Sequence, residues 1–217
     1  THQVWISGSG WTQSTMQRAA DCPTGYDCIS TNGNAKNILT VGAVNDISSG
    51  WQQASDVVMS SFSGWGPTDD GRIKPDIVGN GVSLFSSGSA NNTDYYNSSG
   101  TSMSAPNVTG SLALVQQHYL NLTGGFMLSS ALKGLAIHTA NEAGTSTGPD
   151  YSFGWGLLNT AGAVELLSDT AHAMLTWDTL TNGDSLVYTY YYDGTTPLEA
   201  TICWTDPAGT PVAASLD

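Results

Sequence analysis

The run NILTVGAV, Asn37 to Val44, constrains the fold more than any other stretch of this chain. Its apolar residues are compactly placed, without strict alternation, and it closes on small ones. A strand with one wet face alternates apolar with polar residues, whereas a strand covered on both faces need not. The run therefore predicts a fully buried strand in a parallel sheet, which must have covering layers. Two short apolar runs follow in DVVMSSFSGWGPTDDGRIKPDIVGNG, separated by a Gly-Pro-Thr-Asp-Asp-Gly turn region. VSLFSS predicts another short strand. NNTDYYNSSG is polar and reads as loop, and residues 1–35 read as loop with short structured pieces.

The pattern changes after Gly100. From Ser102 to Tyr119, Met103, Ala105, Val108, Leu112, Ala113, Leu114 and Val115 fall in one helical run. Gly110, Ser111 and Ala113 are small, which predicts a buried helix packed closely on its neighbours. Proline is tolerated in the first helical turn, so Pro106 puts the helix start at Ser102 or Met103. SSALKGLAIHTA, Ser129 to Ala140, and TAGAVELL, Thr160 to Leu167, predict two further helices. After Asp169 the runs AMLTWDTL, SLVYTYYYD and LEATICWTD are β-rich. Asn182-Gly183 and Asp193-Gly194 between them are turn signals. A domain boundary is predicted near Ser168 to Thr170, and both ends, Thr1 and Asp217, read as cut.

Charge narrows the function. The 217 residues carry 18 acidic and 5 basic side chains, a net charge of −13. Arg18, Lys36, Arg72, Lys74 and Lys133 are too few for a basic patch, which argues against nucleic-acid binding. No apolar stretch is long enough to span a membrane.

Chemistry concentrates at GTSMSAPNVTG, Gly100 to Gly110. A serine hydroxyl needs a base and oxyanion donors to act as a nucleophile. The free N–H groups and the dipole of a helix N-terminus favour developing negative charge, and small neighbours leave room for a peptide. Ser102 meets these requirements. Serine is also a common helix cap. The residues alone leave both readings open.

GTSMSAP resembles the active-serine motif of the subtilisin-like serine proteases, the subtilases, usually Gly-Thr-Ser-Met-Ala/Ser-x-Pro. ILTVGAVN resembles that family's buried strand before the substrate-pocket region. SSFSGWGPTDDGRIKPDIVGNGVSLFSS resembles its Ser-x-x-Gly-Pro, Lys-Pro-Asp-Val and Ala-Pro-Gly-Val stretch, with Asn80 in place of the usual proline. YSFGWGLLNTAGAVELL resembles the segment and helix that close the catalytic domain. The matches run in the family's order over residues 1–168. PLEATICWTDPAGTPVAASLD resembles the opening of a β-sandwich appended in one secreted alkaline branch.

The resemblance implies an α/β fold, a mainly parallel sheet with helices on both faces, incomplete in this chain. It implies the start of an all-β, jelly-roll-like sandwich over residues 169–217. It makes Ser102 the nucleophile and its own N–H an oxyanion donor, with Thr101 buttressing the oxyanion hole and Met103 packed beside the serine. It places Ser30 and Thr31 near the S1 pocket wall. The substrate would be a polypeptide and the location extracellular, which favours a Cys22–Cys28 disulfide across CPTGYDC and a free thiol at Cys203. The chemistry needs no cofactor. Calcium is a common stabiliser in the family, and Asp46, Asp56, Asp69 and Asp94 are the carboxylates considered for it, although no contiguous ligand pattern stands out.

The chain also departs from the family. The histidine of a His-Gly-Thr motif, the aspartate of an Asp-Thr/Ser-Gly motif and the oxyanion asparagine are absent from it. His118 lies about 24 Å along the helix from Ser102, at 1.5 Å per residue, and His2, His138 and His172 lack the motif. The expectation is therefore a partner: an upstream catalytic-domain segment carrying the histidine and aspartate. The rival is a catalytically inactive subtilase-fold binding or scaffold protein. Of the Asn-x-Ser/Thr matches at Asn91, Asn97, Asn107 and Asn121, Asn107 is expected inside the buried helix.

Overall fold

The computed structural model describes residues 2–6, 10–14, 28–68, 70–169, 175–192, 194–195 and 197–207. The run around NILTVGAV forms a strand only over its second half, β3 (Val41–Val44); Ile38 before it is exposed. β3 pairs in parallel with β4 (Ile77–Asn80), Val41 opposite Ile77. The chain returns beside β4 at residues 156–158. The Val78 N–H donates to the Gly156 carbonyl, and the Leu158 N–H to the Val78 carbonyl. A parallel bridge joins Val78 and Leu157.

Two antiparallel pairs stand apart from this centre. β1 (His2–Ile6) pairs with β2 (Gly10–Ser14), in the region read as loop with short pieces. β5 (Leu84–Ser87) is the strand predicted at VSLFSS, and its partner β6 (Tyr95–Ser98) lies in the stretch read as polar loop. That reading relied on polarity alone. Tyr95 and Tyr96 are good strand residues, and the Tyr95 ring stacks on Phe85 at 5.6 Å.

The three helices are α1 (Thr101–Thr123), α2 (Ser129–His138) and α3 (Thr160–Ser168). α1 starts one residue before the predicted range, so Pro106 falls in its second turn rather than its first. Gly124 ends it in the left-handed region at φ 77°, as a helix C-terminus favours. α3 is capped by Asn159, whose side chain accepts from the Gly162 N–H at 2.8 Å. This gives the Asn of the Gly-x-Gly-x-Leu-Asn stretch a local physical role.

The sheet faces are covered differently. Val41 and Ile77 pack with Val108, Leu112 and Ala136, from α1 and α2. Val44 and Val78, on the other face, pack with Val57, Trp51, Phe153 and Leu157 from loops and the returning segment. Helices on both faces were expected; among the described residues α1 and α2 share one face, and α3 packs on them through Val115, Leu135 and Ala163.

α1 was also expected to be buried. Only one side is: Ser104, Val108, Val115 and Tyr119 are buried, whereas Ala105, Thr109, Ala113 and Leu114 are exposed. Asn107, expected in a buried setting, is exposed too.

Beyond Asp169, none of the described residues forms a strand. The Asn182-Gly183 turn is present, with the Asp184 N–H donating to the Thr181 carbonyl at 2.9 Å. Asp193 lies outside the described residues. The last described stretch lies against the α/β part. Asn37 and Asp206 exchange two hydrogen bonds of 2.9 Å, and the Thr201 hydroxyl pairs with His138 Nδ1.

Candidate active site

The start of α1 lies at the carboxyl ends of the two parallel strands, where open α/β sheets place their ligands. The Gly81 N–H, just past β4, donates to Val44 at the end of β3, and the Gly100 N–H donates to Gly81. Gly100 is the residue before the helix. Its φ of 155° and ψ of 162° fall where side-chain-bearing residues rarely sit. Gly79 permits the close approach of α1: a Cβ there would stand 2.6 Å from a Val108 methyl.

Ser102 is therefore not a cap. The cap position belongs to Gly100, and no side chain caps α1. Ser102 lies two residues inside, exposed, and its hydroxyl has no hydrogen-bond partner among the described residues. The helix ladder begins with the Met103 and Ser104 N–H groups, both donating to Gly100. The Thr101 and Ser102 N–H groups find no acceptor among the described residues, as at any uncapped helix start. Such a site can offer two N–H donors and the positive end of a helix dipole to an anionic oxygen.

Thr101 is exposed beside Ser102, and Met103 is half-buried on the same turn. Ser30 precedes the 3₁₀ turn Thr31–Asn34 and makes no capping bond. Ser102 and Thr101 are neighbours on the first turn of α1, and among the described residues no hydrogen bond joins Ser30 to that helix. His118 pairs with Ser168 on α3 through Nε2 at 2.9 Å. With His138 held by Thr201, neither histidine is placed to serve Ser102. His172 and Cys22 lie outside the described residues, so the Cys22–Cys28 expectation does too; Cys203 is a free thiol, and burial pushes it up from its ordinary pKa.

Each described carboxylate considered for calcium is held by hydrogen bonds. Asp46 accepts from the Asn80 side chain, Asp56 from the Gln52 and Gln53 N–H groups, and Asp94 from the Ala90 N–H. Asp69 lies outside the described residues. No group of three or more His, Cys, Asp or Glu side chains suited to a metal occurs among the described residues. A cavity of about 290 Å³ opens near Val44, Asp46, Trp51, Asn80 and Asn159. Val44 and Val78 face this side of the sheet, away from α1, and neither Thr101 nor Ser102 lines the cavity.

Two clusters escaped sequence reasoning. Ser104 is fully buried, with its Oγ 2.8 Å from the Gly42 carbonyl oxygen and 2.9 Å from that of Gly79. The motif allows Ala or Ser at this position, and nothing in the sequence marks the hydroxyl for a role. Asp76 is buried between Lys74 (2.6 Å) and Lys133 (3.0 Å), and it also accepts from the Thr40 N–H. Burial pushes the Lys74 ammonium below its ordinary pKa, against the pull of Asp76. Lys-Pro-Asp was visible as a motif; the third member, Lys133, comes from a distant helix.

Residues 22–156 match the model of the subtilase family, Peptidase_S8. The chain belongs to the subtilase family. A Dictyostelium discoideum Serine protease/ABC transporter B family protein, tagA, is 31% identical over 192 residues, 73% of this chain and 11% of that protein. A Streptococcus pyogenes C5a peptidase is 43% identical over 86 residues, 40% of this chain and 7% of the peptidase. This subtilase chain thus spans only a small part of those curated relatives. The solved structure of the Clostridium perfringens CspB protease superposes with a TM-score of 0.56 at 26% identity, covering 66% of this chain and 30% of that one. The parallel strands and helices described above are a subtilase-like α/β fold.

Proposed function

We propose that this chain is the serine-bearing part of an extracellular serine endopeptidase. The observation that carries the reading is the exposed Ser102 hydroxyl beside two N–H groups without an acceptor among the described residues, within the family's serine motif. In the reaction Ser102 Oγ attacks the scissile carbonyl and gives its proton to a histidine. The carbonyl oxygen becomes an oxyanion held by the Ser102 N–H, with Thr101 supporting that hole. The amine leaves with the proton from the histidine, and water then hydrolyses the acyl-enzyme.

The histidine and its orienting aspartate come, in this reading, from an upstream segment of the same catalytic domain. Two observations support it. The described His118 and His138 are engaged elsewhere. α1 has no Asp, Glu, Lys or Arg in its 23 residues, yet more than half of those residues are exposed; a helix meant to face water normally carries charge there. The polypeptide substrate, the S1 role of Ser30 and Thr31, the Cys22–Cys28 bridge and the β-sandwich after Asp169 belong to the same proposal and rest on the sequence.

The test is a fluorophosphonate probe on the full-length protein, paired with peptide turnover. Labelling at Ser102 is expected. Ser102→Ala should lower kcat by roughly four to six powers of ten, the scale for losing a triad nucleophile, with the melting temperature unchanged. Residues 1–217 alone should not turn over peptides. An unlabelled Ser102 would instead support the inactive scaffold.

A further inference from the structure

We infer that Ser104 is a positioning residue for Ser102: its buried hydroxyl fixes the first turn of α1 on both parallel strands. The inference rests on the reading of Ser102 as nucleophile. It starts from how little else holds that turn. No side chain caps α1. The Ser102 N–H has no acceptor among the described residues, and Pro106, four residues on, has no N–H to give to the Ser102 carbonyl. The peptide groups of Ser102 thus lack the usual ladder support on both sides.

Ser104 supplies what the ladder does not. Its Oγ lies within 2.9 Å of carbonyl oxygens on both β3 and β4, at Gly42 and Gly79, so one hydroxyl proton is shared between adjacent strands. It is fully buried, with 0% exposure, and cannot exchange that partner for water. Successive helical residues turn by about 100°, so residues two apart point to nearly opposite sides. Anchoring Ser104 inward therefore aims Ser102 outward, away from the sheet. Losing the anchor leaves the turn tied to the sheet through the Gly100 N–H on Gly81 and its own bonds to Gly100, which allow a small rotation. A rotation of about 10° moves a side-chain oxygen roughly 1 Å, and a misplacement of that size is enough to cost about a hundredfold in rate.

The test uses the full-length protein, with Ser104→Ala, Ser104→Cys and Ser63→Ala. Ser63 is also a buried hydroxyl against β3, accepting from the Ala43 N–H at 3.0 Å, but it lies on the face away from α1. Each variant is assayed well below its melting temperature for phosphonylation rate, kcat and KM. Ser104→Ala should slow phosphonylation and kcat by about ten- to a hundredfold, with KM within about twofold. Ser104→Cys, which keeps a weak donor, should fall between it and the wild type. Ser63→Ala should lower the melting temperature yet leave the rate of the folded protein unchanged. Equal rates in Ser104→Ala and Ser63→Ala would overturn the inference, and if Ser104→Ala fails to fold, a wild-type rate in Ser104→Cys would do so. Wild-type protein that does not react at Ser102 removes the underlying reading, and this one with it.

Discussion

The two sides of α1 are built from similar residues and meet opposite surroundings. Toward the sheet, Ser104, Val108, Val115 and Tyr119 are buried. Away from it, Ser102, Ala105, Thr109, Ala113 and Leu114 are exposed, Leu114 by 68%. Neither side carries a charge. Hydropathy therefore cannot tell them apart; the expectation of a buried helix rested on the small Gly110, Ser111 and Ala113, of which Gly110 and Ala113 are exposed. The difference teaches that burial here depends on which neighbours are present, while the composition of α1 suits burial on every side.

The inner side should be the more expensive to disturb, beginning with the ion cluster that joins β4 to α2. Asp76→Ala leaves the Lys74 and Lys133 ammoniums without their carboxylate, and breaking a buried pair costs about 3–5 kcal/mol. Urea denaturation should show that loss. A cost under about 1 kcal/mol would mean that water reaches the cluster and that the inner layer is not sealed.

Val108→Ala comes next. It should cost about 2–3 kcal/mol, as for other losses of buried methyl groups. The counterpart on the outer side, Leu114→Ala, should stay within about 0.5 kcal/mol in residues 1–217. In the full-length protein, where the proposed upstream segment covers α1, Leu114→Ala should rise to about 2 kcal/mol or more. The same small cost in both would break the comparison, since it would make the outer face a solvent face.

The smallest effect lies in the turn before β4, away from α1. The Arg72 guanidinium, helped by the Thr68 hydroxyl, holds the Asp70 carboxyl down from 3.8 to about 2. The unfolded chain then binds the proton first as pH falls. The stabilisation is complete above pH 3.8 and is lost as pH drops through about 2. The melting temperature of the wild type should fall more steeply over that interval than that of Asp70→Asn. Parallel curves would mean that water screens the pair fully.

Elements with a local signature were legible in the sequence. The three helices, the β5 strand, the Asn182-Gly183 turn and the GTSMSAP motif were all found, because spacing or turn chemistry marks them. What was missed depends on distant neighbours. β6 hid in a polar stretch because its polarity outweighed the strand signal of Tyr95 and Tyr96, and its partner β5 meets it only in the fold. Lys133 joins Lys74 and Asp76 only once α2 packs. Pro106 was read as a first-turn residue, whereas α1 tolerates it in the second. The role of Ser104 could not be read without the two carbonyls it meets. At Ser102 the sequence left nucleophile and cap open; the cap alternative ended with the finding that Gly100 takes the cap position.

The unpaired N–H groups of Thr101 and Ser102 also set how this turn meets solvent. With no acceptor among the described residues, they face water, and in the proposed reaction the oxyanion would have to displace that water. The same exposure should make them fast in amide hydrogen exchange, at the low-protection end relative to the buried β3–β4 pair. A covalent adduct on Ser102 that places its oxygen there would cover them, so occupancy of the site becomes readable as a slowing of exchange at two neighbouring amides.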